Sequence, residues 1–213
     1  MDKYTGIVKA RIVSVRFAIS GQLAFVKKHT GDIVKKGEML ASLDKKILQT
    51  GLDRQLADFE KVRADFEVFS QKYPDPTEAI DKYLKTQKQA SLNASVKDVE
   101  MAKAVLDQTT LFSPIDGVII DDGDLVAGIN VTPAGSEMKI IDNSSYYFEI
   151  EIDQKEVSHF EKPKKCKIEI EGIKGKIEGE TLPAFSDQKK FIVRISIPKQ
   201  DGIMFGMKGK MEL

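Results

Sequence analysis

Few residues in this sequence have the types and spacing that catalysis or metal binding requires. The 213 residues include one cysteine, Cys166, and two histidines, His29 and His159, which stand far apart in the chain. A single thiol excludes an internal disulfide and a cysteine-based metal cluster. The sequence contains no Gly-rich phosphate loop, no His-Glu-x-x-His pattern and no Gly-x-Ser-x-Gly elbow. We therefore expect no enzyme activity, no catalytic residues and no cofactor.

Two short motifs carry groups that bind metal ions in other proteins. The Asp-Asp-Gly-Asp run at 121–124 matches part of a calcium loop but lacks the downstream glutamate. Met204, Met207 and Met211 offer thioether sulfur, which is a soft ligand for Cu(I). Alternation along a strand places such methionines in a core more often than at a metal. We predict a solvated turn and core packing, and no metal site.

Composition indicates a folded chain without an electrostatic preference for polyanions. Lysine plus arginine and aspartate plus glutamate both total 33, so the formal net charge is zero. This balance argues against nucleic acid as a partner. No apolar stretch approaches the ~18 residues of a membrane-spanning helix, and the first residues lack the regions of a secretory signal. Either the protein is cytoplasmic or a targeting segment lies outside this sequence.

The elements that would position functional groups begin with a helical middle segment. Residues 45–110 contain one glycine and two prolines, and both prolines fall in a short run at 73–77. That run ends one helix before another begins, which predicts an antiparallel hairpin of two long helices. Apolar residues of the first helix alternate between four and three positions apart, interrupted only at Gln55, as in a coiled-coil seam: Leu48, Leu52, Phe59, Val62, Phe66, Phe69 and Tyr73.

The second helix is less regular, and the use of the hairpin is left open. Ala90 and Ala94 predict a close approach of the partner helix. Phe66, Phe69 and Tyr73 near the tip form either the seam of the hairpin or a docking patch, and we favour the seam. A plain coiled-coil spacer is the simplest interpretation of the whole segment.

The strongest pattern is an internal repeat that the helices interrupt. Segments 31–44 and 128–142 share one spacing of glycine and apolar residues, with one residue inserted in the second segment. Because neither segment could bury its apolar face alone, we predict that the two halves pair into a small β-sandwich. Glycines suit the turns of such a sandwich, and the predicted turn positions are Gly21, Gly31, Gly37, Gly117, Gly128 and Gly135.

The last third of the chain has the residue pattern of strands with one face exposed to solvent. Apolar and polar residues alternate around 147–152, 166–171 and 191–197. Such antiparallel strands predict a small barrel or sandwich. Cys166 falls on an apolar face, where we expect it to pack without reacting.

Together these segments resemble the periplasmic adaptor, or membrane fusion protein, family of bacterial export systems, the hemolysin-D-like group. The matching motifs are Ser-Gly-Gln-Leu at 20–23 with the repeat segment 31–44, then Thr-Leu-Phe-Ser-Pro-Ile-Asp-Gly-Val-Ile at 110–119, and Phe-Gly-Met-Lys-Gly-Lys-Met at 205–211. They cover nearly the whole chain in the order expected for that family.

The resemblance implies a mixed α and β fold with three domains. A split lipoyl/biotinyl-like β-sandwich would occupy 14–44 and 110–144, an inserted antiparallel α-helical hairpin 45–109, and a β-barrel 145–213, with 1–13 as a further candidate segment of the barrel. The family's membrane-proximal domain and its anchor would be absent or cut away. The chain would therefore be the extracytoplasmic or periplasmic part of a protein anchored to the cytoplasmic membrane.

The resemblance also implies partners and a docking site. Such adaptors assemble into rings, commonly hexamers, on an inner-membrane transporter of the ABC or RND type, and some reach an outer-membrane exit duct. The hairpin tip, at Tyr73, Pro74, Asp75 and Pro76, would be the docking site. The arginine–leucine–serine pattern that some members carry there has no counterpart at 73–77, so the duct is left open as a partner.

Two alternatives belong to other functional classes. Lipoyl or biotinyl carriers share the two-half sandwich but place a modified lysine on a tight turn between the halves. Lys45 and Lys46 lie at that junction, yet they open a helix, and no Met-Lys-Met-like tripeptide is present. A structural coiled-coil scaffold would explain the hairpin but not the split repeat.

Overall fold

The secondary structure follows the three parts of the sequence. A computed structural model describes residues 3–187, 190–198 and 202–213. The helices are α1 (Lys46–Lys72) and α2 (Ala79–Asp107), and a short 3₁₀ helix spans Gln154–Phe160. The strands in chain order are β1 (Lys3–Lys9), β2 (Ile12–Val15), β3 (Gly21–Val26), β4 (Ile33–Val34), β5 (Met39–Leu43), β6 (Thr110–Phe112), β7 (Gly117–Asp121), β8 (Asn130–Val131), β9 (Met138–Asp142), β10 (Tyr147–Ile152), β11 (Lys165–Ile170), β12 (Ile177–Thr181), β13 (Phe185–Asp187), β14 (Lys190–Ser196) and β15 (Lys208–Glu212).

Six of the described strands close into a barrel. β1 lies between β10 and β15, and the antiparallel ladder continues through β11, β12 and β14 until β14 pairs back with β10. β13 pairs antiparallel with β14 and extends the wall there. Exposed and buried residues alternate strictly along β11, as expected for a strand with one wet face. Fully buried residues of the barrel core include Phe148, Ile150, Phe160, Ile168 and Ile195.

In the barrel core the ring of Phe148 packs over two glycines. Gly6 of β1 and Gly209 of β15 are cross-strand partners. A Cβ atom at Gly6 would lie 2.8 Å from Cε1 of Phe148, and a Cβ atom at Gly209 would lie 3.1 Å from Cε2 of the same ring. The two glycines therefore leave room for the Phe148 ring, and for the carbonyl oxygens of Glu149 and Glu169, which would lie 2.3 and 2.6 Å from the same Cβ positions.

Two four-stranded sheets form a second body. One sheet has the order β2-β9-β7-β4 and the other the order β6-β5-β3-β8. Each half of the repeat supplies one strand to each sheet. Segment 31–44 supplies β4 to the first sheet and β5 to the second, and segment 128–142 supplies β9 to the first sheet and β8 to the second. The enclosed core includes Leu23, Leu40, Ile119, Met138 and Ile140. It shares no residue with the barrel core.

The coarse fold prediction is confirmed: the chain combines α and β structure, with a β-barrel and a pair of packed helices. Only part of the segment 1–13 belongs to the barrel. β1 pairs in the barrel, whereas β2 begins at Ile12 and pairs with β9 in the sheets. The lipoyl/biotinyl likeness of the paired sheets and the division into domains stay predictions.

The chain crosses between barrel and sheets twice, at 10–11 and at 143–146, and hydrogen bonds tie the crossings together. Asp142, at the end of β9, is 3% exposed. One of its carboxylate oxygens accepts bonds from Ser144 N–H at 2.9 Å and from Ser144 Oγ–H at 2.6 Å, and the other accepts bonds from Arg11 Nε, at 3.2 Å, and Nη2. Arg11 N–H donates to Ser145 Oγ at 2.8 Å, and Asp142 N–H donates to the Arg11 carbonyl at 3.0 Å.

These bonds predict a pH dependence of stability. The Ser144 hydroxyl and the Arg11 guanidinium hold the pKa of Asp142 below its ordinary value, against the effect of burial. A lowered folded-state pKa adds stability above the unfolded value, near 4, and that stability is lost as pH falls through the folded value. As the pH is lowered from about 5 to about 2, we expect the free energy of unfolding of Asp142→Asn to fall less than that of the unsubstituted protein. Urea titrations at several pH values measure this difference, and parallel losses would contradict it.

Candidate docking surface of the helical hairpin

The hairpin is a long antiparallel pair of helices inserted between β5 and β6. α1 has 27 residues and α2 has 29, so each arm extends roughly 40 Å from the sheets. α1 ends at Lys72, and the N–H of the next residue, Tyr73, donates to the Phe69 carbonyl. α2 begins after Glu78, which is extended and forms no side-chain cap, and Asp81 lies in the first turn.

The predicted apolar stripe of α1 forms the contact with α2. Phe69 is 9% exposed, and the other stripe residues are half-buried: Leu48, Leu52, Phe59, Val62, Phe66 and Tyr73. The ring centroids of Phe69 and Tyr73 lie 5.1 Å apart. Lys88 of α2 lies over the Phe69 ring and pairs with Asp65 at 2.5 Å. These aromatic residues therefore belong to the seam and not to a free patch.

The α2 face differs from the sequence prediction. Ala90 and Ala94 are exposed and do not approach α1, whereas Ala102 is half-buried at the contact. The less exposed positions of α2 again alternate between four and three apart, and toward the tip they are occupied by polar residues: Asp81, Lys85 and Lys88. The prediction from the alanines was wrong because polar residues occupy part of the α2 seam. The apolar residues alone therefore do not show which face of α2 contacts α1.

The structure places the four predicted tip residues in different settings. Tyr73 is half-buried against Phe69, while Pro74 and Asp75 are exposed and Pro76 is half-buried. Lys85 Nζ donates to the Pro74 carbonyl at 3.4 Å. Of the four, only Pro74 and Asp75 are exposed, and docking at the tip stays a prediction.

Four large apolar residues near the tip are exposed, and the sequence interpretation did not single them out as a surface. Ile80 is 70% exposed, Tyr83 75%, Leu84 40% and, on α1, Val68 65%. Exposed apolar groups collected on one part of a surface commonly mark a contact with another protein. For Val68 the signal was present, because this residue falls off the α1 seam once its register is taken from Phe69. For the three residues of α2 it was not, because polar residues hide the register of that helix near the tip.

Three of the predicted turn glycines adopt the left-handed backbone region. The φ angles of Gly31, Gly37 and Gly128 are 96°, 80° and 94°. At Gly31 no atom lies within 4 Å of the position that a Cβ atom would occupy, so only the backbone conformation restricts the side chain there.

The other three glycines do not show a left-handed φ. Gly135 lies in a turn closed by a bond from its N–H to the Thr132 carbonyl at 3.0 Å. Gly21 and Gly117 are not turn residues, because they open the strands β3 and β7. Gly117 is required by close packing instead, since a Cβ atom there would lie 2.0 Å from the carbonyl oxygen of Ile141.

Replacing Gly31 by valine is expected to destabilise the protein by about 1–3 kcal/mol, because a β-branched residue is strained at positive φ. The matched variant Gly31→Asn should cost less, since asparagine tolerates this region. Thermal and urea unfolding of both variants measures the difference. Equal stability of Gly31→Val and the unsubstituted protein would refute a conformational requirement at this turn.

The groups with reactive chemistry are dispersed. Within the described ranges no three histidine, cysteine, aspartate or glutamate side chains converge as a metal site would require. Burial raises the pKa of the Cys166 thiol to about 11, so this thiol is protonated at neutral pH. His29 Nδ1 lies 3.3 Å from Asp122 Oδ2. Met211 is fully buried, while Met204 is 62% exposed.

Comparisons with known proteins address the fold. No protein-family model and no curated protein matches this sequence. A MacA–MexA chimeric protein that contains the α-hairpin domain of Pseudomonas aeruginosa MexA is similar over 99% of this chain and 80% of its own, with a TM-score of 0.83 and 18% identity. The membrane fusion protein Spr0693 from Streptococcus pneumoniae is similar over 100% of this chain and 99% of its own, with a TM-score of 0.79 and 15% identity.

A third solved structure, MacA from Actinobacillus actinomycetemcomitans, is similar over 99% of this chain and 77% of its own, with a TM-score of 0.62 and 15% identity. In the part of the chain that the structure describes, neither helix has the length and apolar content needed to cross a membrane. Identities this low establish the fold alone. The chain therefore has the fold of the membrane fusion proteins, and the resemblance of its motifs to that family is confirmed at the level of the fold.

Proposed function

We propose that the protein is an adaptor subunit of a bacterial efflux or secretion system. It would couple an inner-membrane transporter of the ABC or RND type to an outer exit duct or to the extracytoplasmic space. The observation that carries this proposal is the likeness of barrel, paired sheets and hairpin together to solved membrane fusion proteins, over 99% of the chain at a TM-score of 0.83. A likeness confined to the hairpin would suit any coiled-coil scaffold equally well.

The connections of the chain support a bridging role. The barrel joins the sheets beside Ile12 and Asp142, whereas the hairpin leaves them at Leu43 and Thr110. Barrel and hairpin are thus attached through different strands, and each can meet a different partner. We propose that the paired sheets are the lipoyl/biotinyl-like element and that they carry no modified lysine. Lys45 directly precedes α1 and Lys46 begins it, so neither occupies a tight strand-to-strand turn.

Assembly into a ring, commonly a hexamer in such adaptors, is part of the proposal. An isolated pair of helices leaves much of its side surface uncovered. Exposed apolar residues are distributed along both helices, from Ile47 at the base, which is 86% exposed, to Met101, which is 65% exposed, and Ile80 at the tip. Burial of such residues between copies would stabilise side-by-side packing of hairpins.

Photo-crosslinking of the full-length protein in cells tests the proposal. One probe replaces Asp75 at the exposed tip, and another replaces Lys174, exposed in the loop between β11 and β12. A probe at Lys97, exposed on α2 far from the tip, is the matched control on the hairpin. We expect a transporter from the barrel probe, and an exit duct, if the cell has one, from the tip probe but not from the control. Recovery of soluble enzymes alone would favour a carrier, and recovery of the chain alone a scaffold.

The length of the hairpin gives a second test. Inserting one heptad into each helix preserves the register of the seam but lengthens the arm by about 10 Å. We expect transport to be lost while thermal stability is retained, because the two attachment points no longer match the distance between partners. As a control, Ala57→Ser on the exposed face of α1 changes neither length nor seam. Normal export by the lengthened protein would exclude the hairpin as a bridge.

A further inference from the structure

The helical hairpin has two side faces, one on each side of the seam between α1 and α2. Because the helices run antiparallel, the residues directly before the seam positions of both helices lie on one side, and those directly after them lie on the other. The structure agrees with this division. Ile47 and Val105, which precede seam residues, line one groove at the base, whereas Lys82 and Gln89, which follow seam residues, line a groove on the other side.

The two faces differ in polarity. The side with Ile47, which we call the apolar face, carries five of the large apolar side chains that are exposed on the helices: Ile47, Val68, Ile80, Leu84 and Met101. On the other side, the polar face, Leu56 is the one such residue in the described helices. Arg63 forms ion pairs with Glu60 and Glu67 there. The hairpin is therefore amphipathic across its width.

The middle of the apolar face carries charges without an ion-pair partner in the chain. Arg54, Asp58 and Lys61 of α1 precede or follow one another on this face by helical spacing, and Asp98 of α2 lies across from them. The ion pairs of the described hairpin involve other residues. Two acids and two bases make the row neutral as a whole, so a surface with the same row can complement it.

We infer that the apolar face binds the same face of a second copy of the chain, about a two-fold axis parallel to the two hairpins. α1 of each copy then lies over α2 of the other, and the four helices form an up-down bundle. Such a contact matches apolar with apolar surface, whereas a head-to-tail contact would set the apolar face of one copy against the polar face of the next. The inference stands on the hairpin alone and does not depend on the proposed transport function.

The charges match across this axis. Lys88 pairs with Asp65, which sets the height of α2 relative to α1. Asp98 lies ten residues further from the tip, level with the segment that begins at Arg54 and ends at Lys61. Since the two-fold axis preserves height, Asp98 of one copy lies between these two bases of the other.

The area of the face suits a second copy of the hairpin. Two helices, each about 10 Å wide and roughly 40 Å long, present on the order of 800 Å². That is about the area that each partner buries in a stable interface of standard size. Gly51 and Ala94 on this face are both exposed, and such small residues allow a facing helix to approach closely.

Sedimentation velocity of the chain over a series of concentrations tests the pairing. We expect dimers, and we expect Val68→Glu to raise their dissociation constant at least about tenfold, because it buries an unpaired charge. Leu56→Glu is the matched control, since it makes the same kind of change at an exposed residue of α1 but on the polar face. It should change the dissociation constant by no more than about twofold. Both sites are exposed, and thermal unfolding verifies that both variants fold.

A mixing experiment tests the charge match between copies. Arg54→Asp and Asp98→Arg should each weaken the dimer, because each places like charges opposite one another in both halves of the interface. In an equimolar mixture of the two variants, both contacts again join opposite charges, so dimers should return. A contact within one copy could not produce this recovery.

A chain that stays monomeric throughout the series would overturn the inference. So would equal weakening by Val68→Glu and Leu56→Glu, or a mixture as dissociated as its components. Assemblies that grow beyond dimers through this face would also overturn it, because a two-fold contact is closed.

Discussion

Substituting Gly117 by alanine is expected to lower the free energy of unfolding by about 3 kcal/mol, although only one methyl group is added. The Cβ atom would lie 2.0 Å from the Ile141 carbonyl oxygen and 2.8 Å from Cγ2 of Ile140. The first neighbour is backbone of β9, which pairs with β7 in the middle of its sheet. Relief of the clash therefore requires the two strands to separate, at the expense of their ladder.

Gly21→Ala is the matched control for this prediction. Gly21 opens β3 as Gly117 opens β7, but a Cβ atom there meets only the Leu43 side chain, at 3.1 Å from Cδ1. A side-chain terminus can rotate by a few tenths of an ångström, so we expect a loss of no more than about 1 kcal/mol. Urea unfolding of both variants measures the contrast. Equal losses would show that close approach to backbone is not what requires glycine at 117.

The sequence predicted correctly those elements that depend on residues close together in the chain. The stripe from Leu48 to Tyr73 indicated the seam of α1, since helical spacing depends only on neighbours in the same helix. Proline at 74 and 76 marked the hairpin turn, because proline cannot continue the preceding helix. The repeat indicated that both halves of the sheets belong together, and both sheets contain strands from each half.

The features that sequence did not reveal depend on contacts between distant segments. Gly117 has the same residue type as Gly31, yet one is required by a strand across the sheet and the other by its own φ. Arg11 and Asp142 are 131 positions apart, and no local pattern connects them. The register of α2 was hidden because its seam near the tip contains lysines, whose long apolar stems can pack while the charge stays in water.

Phe148→Ala is expected to have the largest effect of all substitutions considered, a loss of about 3–5 kcal/mol. Phe148 is fully buried and its ring packs over Gly6 and Gly209. The two glycines have no side chains that could move into the vacated space, so only shifts of the surrounding core residues can reduce the cavity. The conservative variant Phe148→Leu should lose less, because it fills part of that volume.

The barrel core and the sheet core share no residue. Which strands are destabilised by a substitution is therefore as informative as the free energy of unfolding that is lost. In native-state hydrogen exchange, we expect amides of β1, β10 and β15 to exchange at least about a hundredfold faster in Phe148→Ala, while those of β7 and β9 keep their rates. Gly117→Ala should give the reciprocal pattern. Faster amide exchange in both the barrel and the sheets after either substitution would mean that barrel and sheets unfold as one cooperative unit.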